Sequence, residues 1–380
     1  MQNFVFKNPT EIIFGKGTIA QIDARIPRDV PILLTYGGGS IKRNGVYQQV
    51  RSALDGREVV EFAGIEPNPQ YETCLKAVDL VKSHQVQFLL AVGGGSVIDA
   101  AKFIAAAAWY DGPDSWDILR TGGQNVKTAI PLGTVLTLPA TGTESNGNSV
   151  ISRRATAEKL HFYADCAFPM FSVLDPETTY TLPAKQVRNG IVDAFVHVME
   201  QYLTFPTDAP LQDRLAEAIL ATLIEVGPRT LAQPRDYESR ASLMWSATLA
   251  LNTLISCGVP QDWSTHMIGH ELTALYGPAH AETLAVVLPG VWAHQLAKKE
   301  AKLRQYGQRV WGVTTVEAAI GRTEEFFHSL DMPTLLSAYQ INAEEAAEVV
   351  GRRFTKRAVK FGEHEDIDGS AAAAIIRSRA

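Results

Sequence analysis

The hydrophobic pattern of this 380-residue chain changes character near residue 182. Before that point, short apolar or β-branched runs recur: VPILLTY (30–36), REVVEF (57–62), VQFLLAV (86–92) and TVLTLP (134–139). Runs of this length without polar alternation predict strands buried on both faces. Helical stretches lie between them, YETCLKAVDLVKSHQ after a Pro-Asn-Pro turn and VIDAAKFIAAAAW after Gly95. That rhythm predicts a mostly parallel sheet flanked by helices. Beyond Thr181-Leu182-Pro183 the strand pattern stops and long helical segments follow: APLQDRLAEAILATLIEVG, ESRASLMWSATLALNTLISCG and TLAVVLPGVWAHQLAKKEAKLRQYG. The pattern therefore predicts an α/β domain over 1–182 and an all-helical domain over 183–380. No repeat or low-complexity linker separates them, so direct packing is expected.

Composition narrows the class without changing the fold. Hydrophobic content of 46% and charged content of 20% fit a globular protein. A net charge of −6 argues against a nucleic-acid or anionic-membrane surface, which needs a basic patch. The opening MQNFVFKNPTEIIFG has no basic stretch leading an apolar run, so no signal peptide is expected. The alanine-rich IDAAKFIAAAAW is too short to span a membrane and carries Asp99 and Lys102. Cys74, Cys166 and Cys257 are scattered, with no C-x-x-C; reduced, buried thiols in a cytoplasmic protein are the expectation.

Three loops rich in glycine or hydroxyl groups follow predicted strands. In AVGGGSVIDAAK, Gly93, Gly94, Gly95 and Ser96 join a buried strand to a helix. Glycines allow close backbone approach to a phosphate, and the helix start offers free N–H groups. The spacing is not G-x-G-x-x-G, so the usual Rossmann fingerprint is absent. TYGGGSIK and TLPATGTESN, with Thr137, Thr141, Thr143 and Asn146, are the other two. Three such loops along one sheet edge suit a dinucleotide; plain βα turns are the alternative.

The helical half carries the sharper chemistry. Asp193 and His197 stand four apart in NGIVDAFVHVMEQY, and His266 and His270 repeat that spacing in THMIGHELTALYGPAHAETLA. Residues four apart share a helix face. Gly277 and Pro278 then break the helix and bring the chain round to His280. Asp193, His197, His266 and His280 make a ligand set for a divalent ion such as Zn²⁺ or Fe²⁺. Helix geometry places both polar pairs opposite their local apolar stripes, so each pair alone also reads as a surface pair.

GGGSVIDAAK, LPATGTES, the D-x-x-x-H helix, and H-x-x-x-H followed by a third histidine together resemble the iron-containing (group III) alcohol dehydrogenase family. FKNPTEIIFGKG, EPNP and GVPQDWSTHMIGHELTA extend the similarity almost end to end, nearest the NADPH-dependent aldehyde reductase and butanol dehydrogenase branch. The resemblance implies an N-terminal dinucleotide-binding α/β domain and a C-terminal helical metal-binding domain, a dehydroquinate synthase-like plan with metal and nicotinamide in the cleft between. It implies Asp193, His197, His266 and His280 as metal ligands, with His270 a non-ligand histidine beside the nicotinamide. It also implies Gly94, Gly95 and Ser96 at the diphosphate and Asp99 toward the nicotinamide. Thr137, Thr141 and Asn146 would line the adenosine and ribose, with Asn68 and Lys159 near the cofactor ribose.

The implied activity is reversible reduction of a small aldehyde to a primary alcohol; a homodimer is expected only because it is the commonest assembly of such enzymes. A metal would stabilise charge on the carbonyl oxygen, and His270 is the candidate proton relay, or else a packing histidine. NADPH over NADH is expected from an absence: Gly37, Gly38, Gly39 and Ser40 follow the second strand, where NAD-using relatives resemble one another in placing an aspartate. Lys42 and Arg43 could add positive charge there. Trp116, Trp245 and Trp263 are candidates for substrate-cleft walls. The alternatives are a glycerol dehydrogenase-like or other polyol enzyme, whose zinc sites look three-liganded, and a non-catalytic nucleotide- and metal-binding protein closed by four ligands.

Overall fold

The computed structural model describes residues 1–380, which divide into two compact units. One comprises Lys7–Pro183 with Pro234–Thr248; the other comprises Met1–Phe6, Ala184–Gln233 and Leu249–Ala380. The main boundary lies at Pro183, and two short segments do not follow sequence order. Pro234–Thr248 joins the α/β unit because its side chains are tied there: Thr248 donates to buried Glu144 at 2.5 Å, and Trp245 packs edge-on against Phe14 at 6.2 Å. Met1–Phe6 joins the helical unit, where the Gln2 N–H donates to the Gly258 carbonyl at 2.8 Å.

The α/β unit holds eight strands: β1 Glu11–Phe14, β2 Ile32–Tyr36, β3 Val59–Phe62, β4 Phe88–Gly94, β5 Leu132–Leu138, β6 Asn148–Arg153, β7 Glu158–Tyr163 and β8 Phe171–Leu174. Six form one sheet in the order β1-β8-β5-β4-β2-β3, every pair parallel. The apolar runs serve two faces at once, because successive side chains alternate. Leu33, Leu89 and Ala91 fill one core, while Ile32, Leu34, Phe88, Leu90 and Val92 fill the other. β1 and β8 were not signalled by the apolar runs, since each has only four residues. The β6–β7 hairpin is a separate antiparallel pair turning through Ala157.

Short helices α1 (Ser40–Arg43) and α2 (Val46–Ala53) follow β2; α3 (Tyr71–Ser83) precedes β4, α4 (Gly95–Ala107) follows it, and α5 (Asp117–Arg120) is one turn. α2 packs on the face containing Leu34, whereas α4 packs on the face containing Leu33. Neighbouring parallel strands whose helices leave to opposite faces define a switch point, and ligands of such sheets bind outside the strand ends there. The two glycine loops, after β2 and β4, flank it.

The helical unit contains α6 (Ala184–Tyr202), α7 (Pro210–Ala232), the end of α8 (Tyr237–Ala250), α9 (Ser264–Tyr276), α10 (His280–His294), α11 (Leu296–Tyr306), α12 (Val316–Ser329), α13 (Ala343–Arg357) and α14 (Gly369–Arg377). The segment read as one helix over 283–307 breaks at Gln295 into α10 and α11. α8 ends at Ala250, short of the Gly258 expected from its apolar pattern. α6 is buried at every residue from Gly190 to Tyr202, packed by α7 and α10. This corrects the reading of Asp193 and His197 as a surface pair: neighbours cover the polar face as well. No helix is long and apolar enough to cross a membrane.

Candidate metal centre and cofactor loops

α6, α9 and α10 bring the predicted ligands together within the helical unit. Asp193 and His197, on one face of α6, are each 4% exposed, with His197 Nδ1 3.9 Å from Asp193 Oδ1. α9 ends where Gly277, in the left-handed region at φ +85°, closes the helix; the chain turns at Pro278 and α10 opens with His280. This places His280 Nε2 3.7 Å from Asp193 Oδ1. One ligand atom from each of Asp193, His266 and His280 lies within 4.8 Å of the others. The His197 ring stacks on His266, centroids 4.6 Å apart, and its buried Nδ1 makes no hydrogen bond. A buried polar nitrogen left so is costly in a folded protein unless something binds it. These residues fit a divalent ion: three gathered donors and a fourth imidazole beside them.

Burial pushes His197 down to about 4, with Asp193 opposing and His266 adding to the shift. His197 is therefore neutral near pH 7, the form that binds metal. His270 is 5% exposed, its ring 5.0 Å from that of His280 and 6.3 Å from that of His266. It stands beside the cluster, outside the gathered donors. Trp263 packs edge-on against His266 at 5.2 Å, consistent with a wall. Trp116 is not one: it is fully buried in the α/β core against Tyr71. Trp245 is 40% exposed and is taken up by Phe14.

Glu200 was missed in the sequence, although it lies one turn beyond His197. Its carboxylate accepts the Thr265 N–H at 2.6 Å and contacts His266 Nδ1. Burial, then Asp262, act to raise its pKa, while the N–H groups of Thr265 and His266 oppose them.

In the α/β unit the glycines are dictated by close approach. A Cβ at Gly93 would lie 2.6 Å from Val97, at Gly94 2.9 Å from Leu138, and at Gly95 2.5 Å from Thr141 Oγ1. The strand–helix turn thus has no room for side chains, and the backbone itself forms the start of α4. Asn68, at φ +54°, accepts from Lys159 Nζ at 2.9 Å, so the turn before α3 and the hairpin meet as a pair. Thr137 is 8% exposed and Thr141 half-buried against Gly95.

Asp99 and Asn146 face inward. Asp99 accepts from Thr143 Oγ1 at 2.7 Å and from the Val150 N–H at 3.1 Å; burial raises its pKa, with Lys102 opposing. Asn146 is fully buried, its Nδ2 donating to the Gly142 carbonyl at 2.9 Å. Lys102, three residues after Asp99, has no role that the sequence pattern signals, yet it ties this loop together. Its Nζ donates to the carbonyls of Thr143, Asn146 and Asn148 and to Thr143 Oγ1, at 2.6–2.8 Å. Burial pushes it down to about 7, with Asp99 and Glu144 opposing.

The GGGS loop after β2 differs again. Gly39, at φ +86°, leads into Ser40 and α1, while a Cβ at Gly38 would meet nothing within 4 Å. Glu61, on the neighbouring strand, is held by Tyr36 OH at 2.8 Å and Tyr47 OH at 2.6 Å. Lys42 lies over both tyrosine rings and 3.9 Å from Glu61, so its charge is already engaged. Arg43 is exposed.

Residues 9–176 match the family model for iron-containing alcohol dehydrogenase, and residues 188–379 match that for the C-terminal part of the Fe-containing alcohol dehydrogenase family. The chain belongs to the iron-containing alcohol dehydrogenase family. It is 54% identical over 374 residues to the NADPH-dependent aldehyde reductase YqhD of Escherichia coli, covering 97% of each chain. The crystal structure of that E. coli protein superposes with a TM-score of 0.98, at 52% identity over 100% of this chain and 99% of that one. NADP-dependent alcohol dehydrogenase 3 of Entamoeba histolytica is 44% identical, covering 97% of this chain and 96% of its own. The structure of NADH-dependent butanol dehydrogenase A of Thermotoga maritima has a TM-score of 0.94 at 35% identity, covering 100% of this chain and 99% of that one. Family membership fits the parallel sheet, the glycine loops and the gathered donors. These named relatives divide between NADPH and NADH, so membership alone does not set cofactor choice.

Proposed function

We propose that this protein is an NADPH-dependent, metal-dependent alcohol dehydrogenase that reduces small aldehydes to primary alcohols reversibly. The observation that carries this reading is the convergence of Asp193, His266 and His280 in a chain 54% identical to an NADPH-dependent aldehyde reductase. Asp193, His197, His266 and His280 are assigned as ligands of one Fe²⁺ or Zn²⁺, since carboxylate and imidazole suit both. When bound, the ion supplies Lewis-acid stabilisation of charge on a carbonyl oxygen, and NADPH supplies the hydride.

The chain's own residues prepare that chemistry. Burial keeps His197 neutral, so it need not lose a proton to bind metal near pH 7. His270 is assigned as the proton relay: imidazole in water titrates near pH ~6.5 and can both give and accept a proton. Gly94, Gly95 and Ser96 are assigned to the diphosphate, where backbone N–H groups at a helix start meet negative charge. Gly37, Gly38, Gly39 and Ser40 are assigned to the 2′-phosphate, and Asn68, Lys159, Thr137 and Thr141 to the adenosine and ribose. Asp99 and Asn146 act by holding the loop's shape from inside.

On this reading the unit of Lys7–Pro183 with Pro234–Thr248 binds NADP and the helical unit holds the metal, in a cytoplasmic homodimer. The test is NADPH oxidation by the purified protein with a short-chain aldehyde, before and after chelation and again with Fe²⁺ or Zn²⁺ restored. No turnover of any short aldehyde by the metal-restored protein would falsify the reading.

A further inference from the structure

Behind the ligand set runs a line of buried ionic side chains: Glu200 on α6, Asp262 just before α9, Lys299 on α11 and Glu363 between α13 and α14. Glu200 is 2% exposed. Its Oε1 accepts the Thr265 N–H at 2.6 Å, its Oε2 accepts the His266 backbone N–H at 3.3 Å, and the His266 ring Nδ1 contacts that same Oε2. The Glu200 carbonyl accepts the Asp262 N–H at 2.8 Å, and Asp262 Oδ1 accepts the Ser264 N–H at 3.0 Å. Further out, Lys299 Nζ bridges Asp262 at 2.8 Å and Glu363 at 2.6 Å. Thr265 and His266 lie in the first turn of α9, where N–H groups lack partners within the helix and the dipole favours negative charge. One side chain of α6 thus both seats the start of α9 and meets the ring of a candidate ligand.

We propose that Glu200 is the positioning residue for His266, fixing the ring's plane and tautomer so that Nε2 would be the atom available to hold a metal ion. Both carboxylate oxygens accept backbone N–H bonds, which favour the ionised carboxylate, and an ionised Oε2 can only accept from the ring. Nδ1 then carries the proton, and the Nε2 lone pair is left for an ion. A carboxylate behind a metal-binding histidine also makes the imidazole more basic, and its loss commonly weakens metal binding about 10–100-fold. This inference rests on the metal-site reading above.

Glu200→Gln tests it at nearly constant volume. If the new amide keeps an oxygen toward Thr265, its NH₂ faces Nδ1 and drives the proton to Nε2, the wrong tautomer. If it turns over, NH₂ meets the Thr265 N–H, donor against donor. Full-length protein loaded with Zn²⁺ is titrated with a chromogenic chelator, comparing wild type, Glu200→Gln and Glu363→Gln; the last alters the same ionic line without touching His266. The expected result is a roughly 10–100-fold weaker Zn²⁺ affinity for Glu200→Gln alone. Wild-type affinity in Glu200→Gln, or an equal loss in Glu363→Gln, overturns the proposal.

The ¹⁵N signals of the His266 ring in the metal-free wild type give a second measurement that needs no variant. Protonation at Nδ1 is expected, and protonation at Nε2 overturns the proposal even if Glu200→Gln does not fold. Wild-type protein that takes up no stoichiometric Zn²⁺ is a separate outcome and defeats the metal-site reading itself.

Discussion

In the helical unit, Asp193, His197, His266 and His280 present side chains from three helices, and residue identity decides what they can bind. In the α/β unit the candidate cofactor surface is mostly backbone: Gly93, Gly94 and Gly95 have no room for side chains, while Asp99, Lys102 and Asn146 turn inward to hold a loop. The two regions should fail differently when altered. The metal centre loses function when a donor is removed and the fold remains. The cofactor surface loses function when its internal frame gives way, although the altered residue touches no ligand.

The largest effect is expected at the donors. His266→Ala removes one of the three gathered ligand atoms. Metal content and aldehyde turnover should fall together to background, with the far-UV circular dichroism preserved. A His266→Ala protein retaining stoichiometric metal and full turnover would break the metal half of the comparison. Next comes His270→Ala, which leaves the gathered donors in place. Metal and cofactor should stay bound while kcat falls by about 10²–10⁴-fold and the pH profile loses one limb. Unchanged kinetics across pH would return His270 to a packing role.

Lys102→Met probes the other region. Four oxygens within 2.8 Å of Nζ would lose their donor inside a buried site. Leaving a buried acceptor unsatisfied typically costs about 1–3 kcal/mol. Denaturant unfolding should register that loss, and NADPH binding should weaken while metal content is unchanged. Stability and NADPH affinity equal to wild type would mean that the loop keeps its shape without the cation.

What the sequence revealed follows the same division. The parallel sheet was legible because β2, β4 and β5 are apolar on both faces, and the gathering of Asp193, His266 and His280 because two polar pairs recur four apart and a Gly-Pro turn leads on to His280. β1 and β8 were not, since four residues carry too little pattern. Glu200 and Lys102 were passed over because a lone charge on a helix ordinarily faces water. Their burial depends on α9 and on the loop over 141–148, partners far away in sequence. Pro234–Thr248 was misplaced for a similar reason: helical periodicity reports which face is apolar, never which unit it will meet.

Cofactor choice is a smaller effect and sharpens the backbone side of the comparison. The protein should prefer NADPH over NADH in kcat/KM, and Gly37→Asp should erase or reverse that preference. A Cβ at Gly37 would lie 3.2 Å from the Ile65 carbonyl, whereas one at Gly38 meets nothing within 4 Å. Gly38→Asp is therefore the companion variant that tests charge with less steric cost. A change of roughly ten- to a hundredfold in the NADPH/NADH ratio corresponds to about 1.4–2.8 kcal/mol of repulsion. Equal efficiency with both cofactors in the unaltered protein would remove the 2′-phosphate assignment.

The smallest effect is a pH slope in the metal-free protein. Burial holds His197 at about 4, below the ~6.5 of an unfolded imidazole. Between those values the unfolded chain binds a proton that the folded chain refuses, so acid favours unfolding. The contribution is fully present above pH ~6.5 and is lost as pH falls toward 4, at up to about 1.4 kcal/mol per pH unit. Other groups titrate in this range, so the informative quantity is a difference. Unfolding free energies of wild type and His197→Asn, both stripped of metal, should be compared at pH 7 and pH 5. The wild type should lose more stability than the variant over that interval. Parallel losses would mean that His197 is accessible to protons in the folded state, and the centre would be more open than the buried ring implies. With Zn²⁺ bound the wild-type slope should steepen, because protons then also compete with the ion for the imidazole.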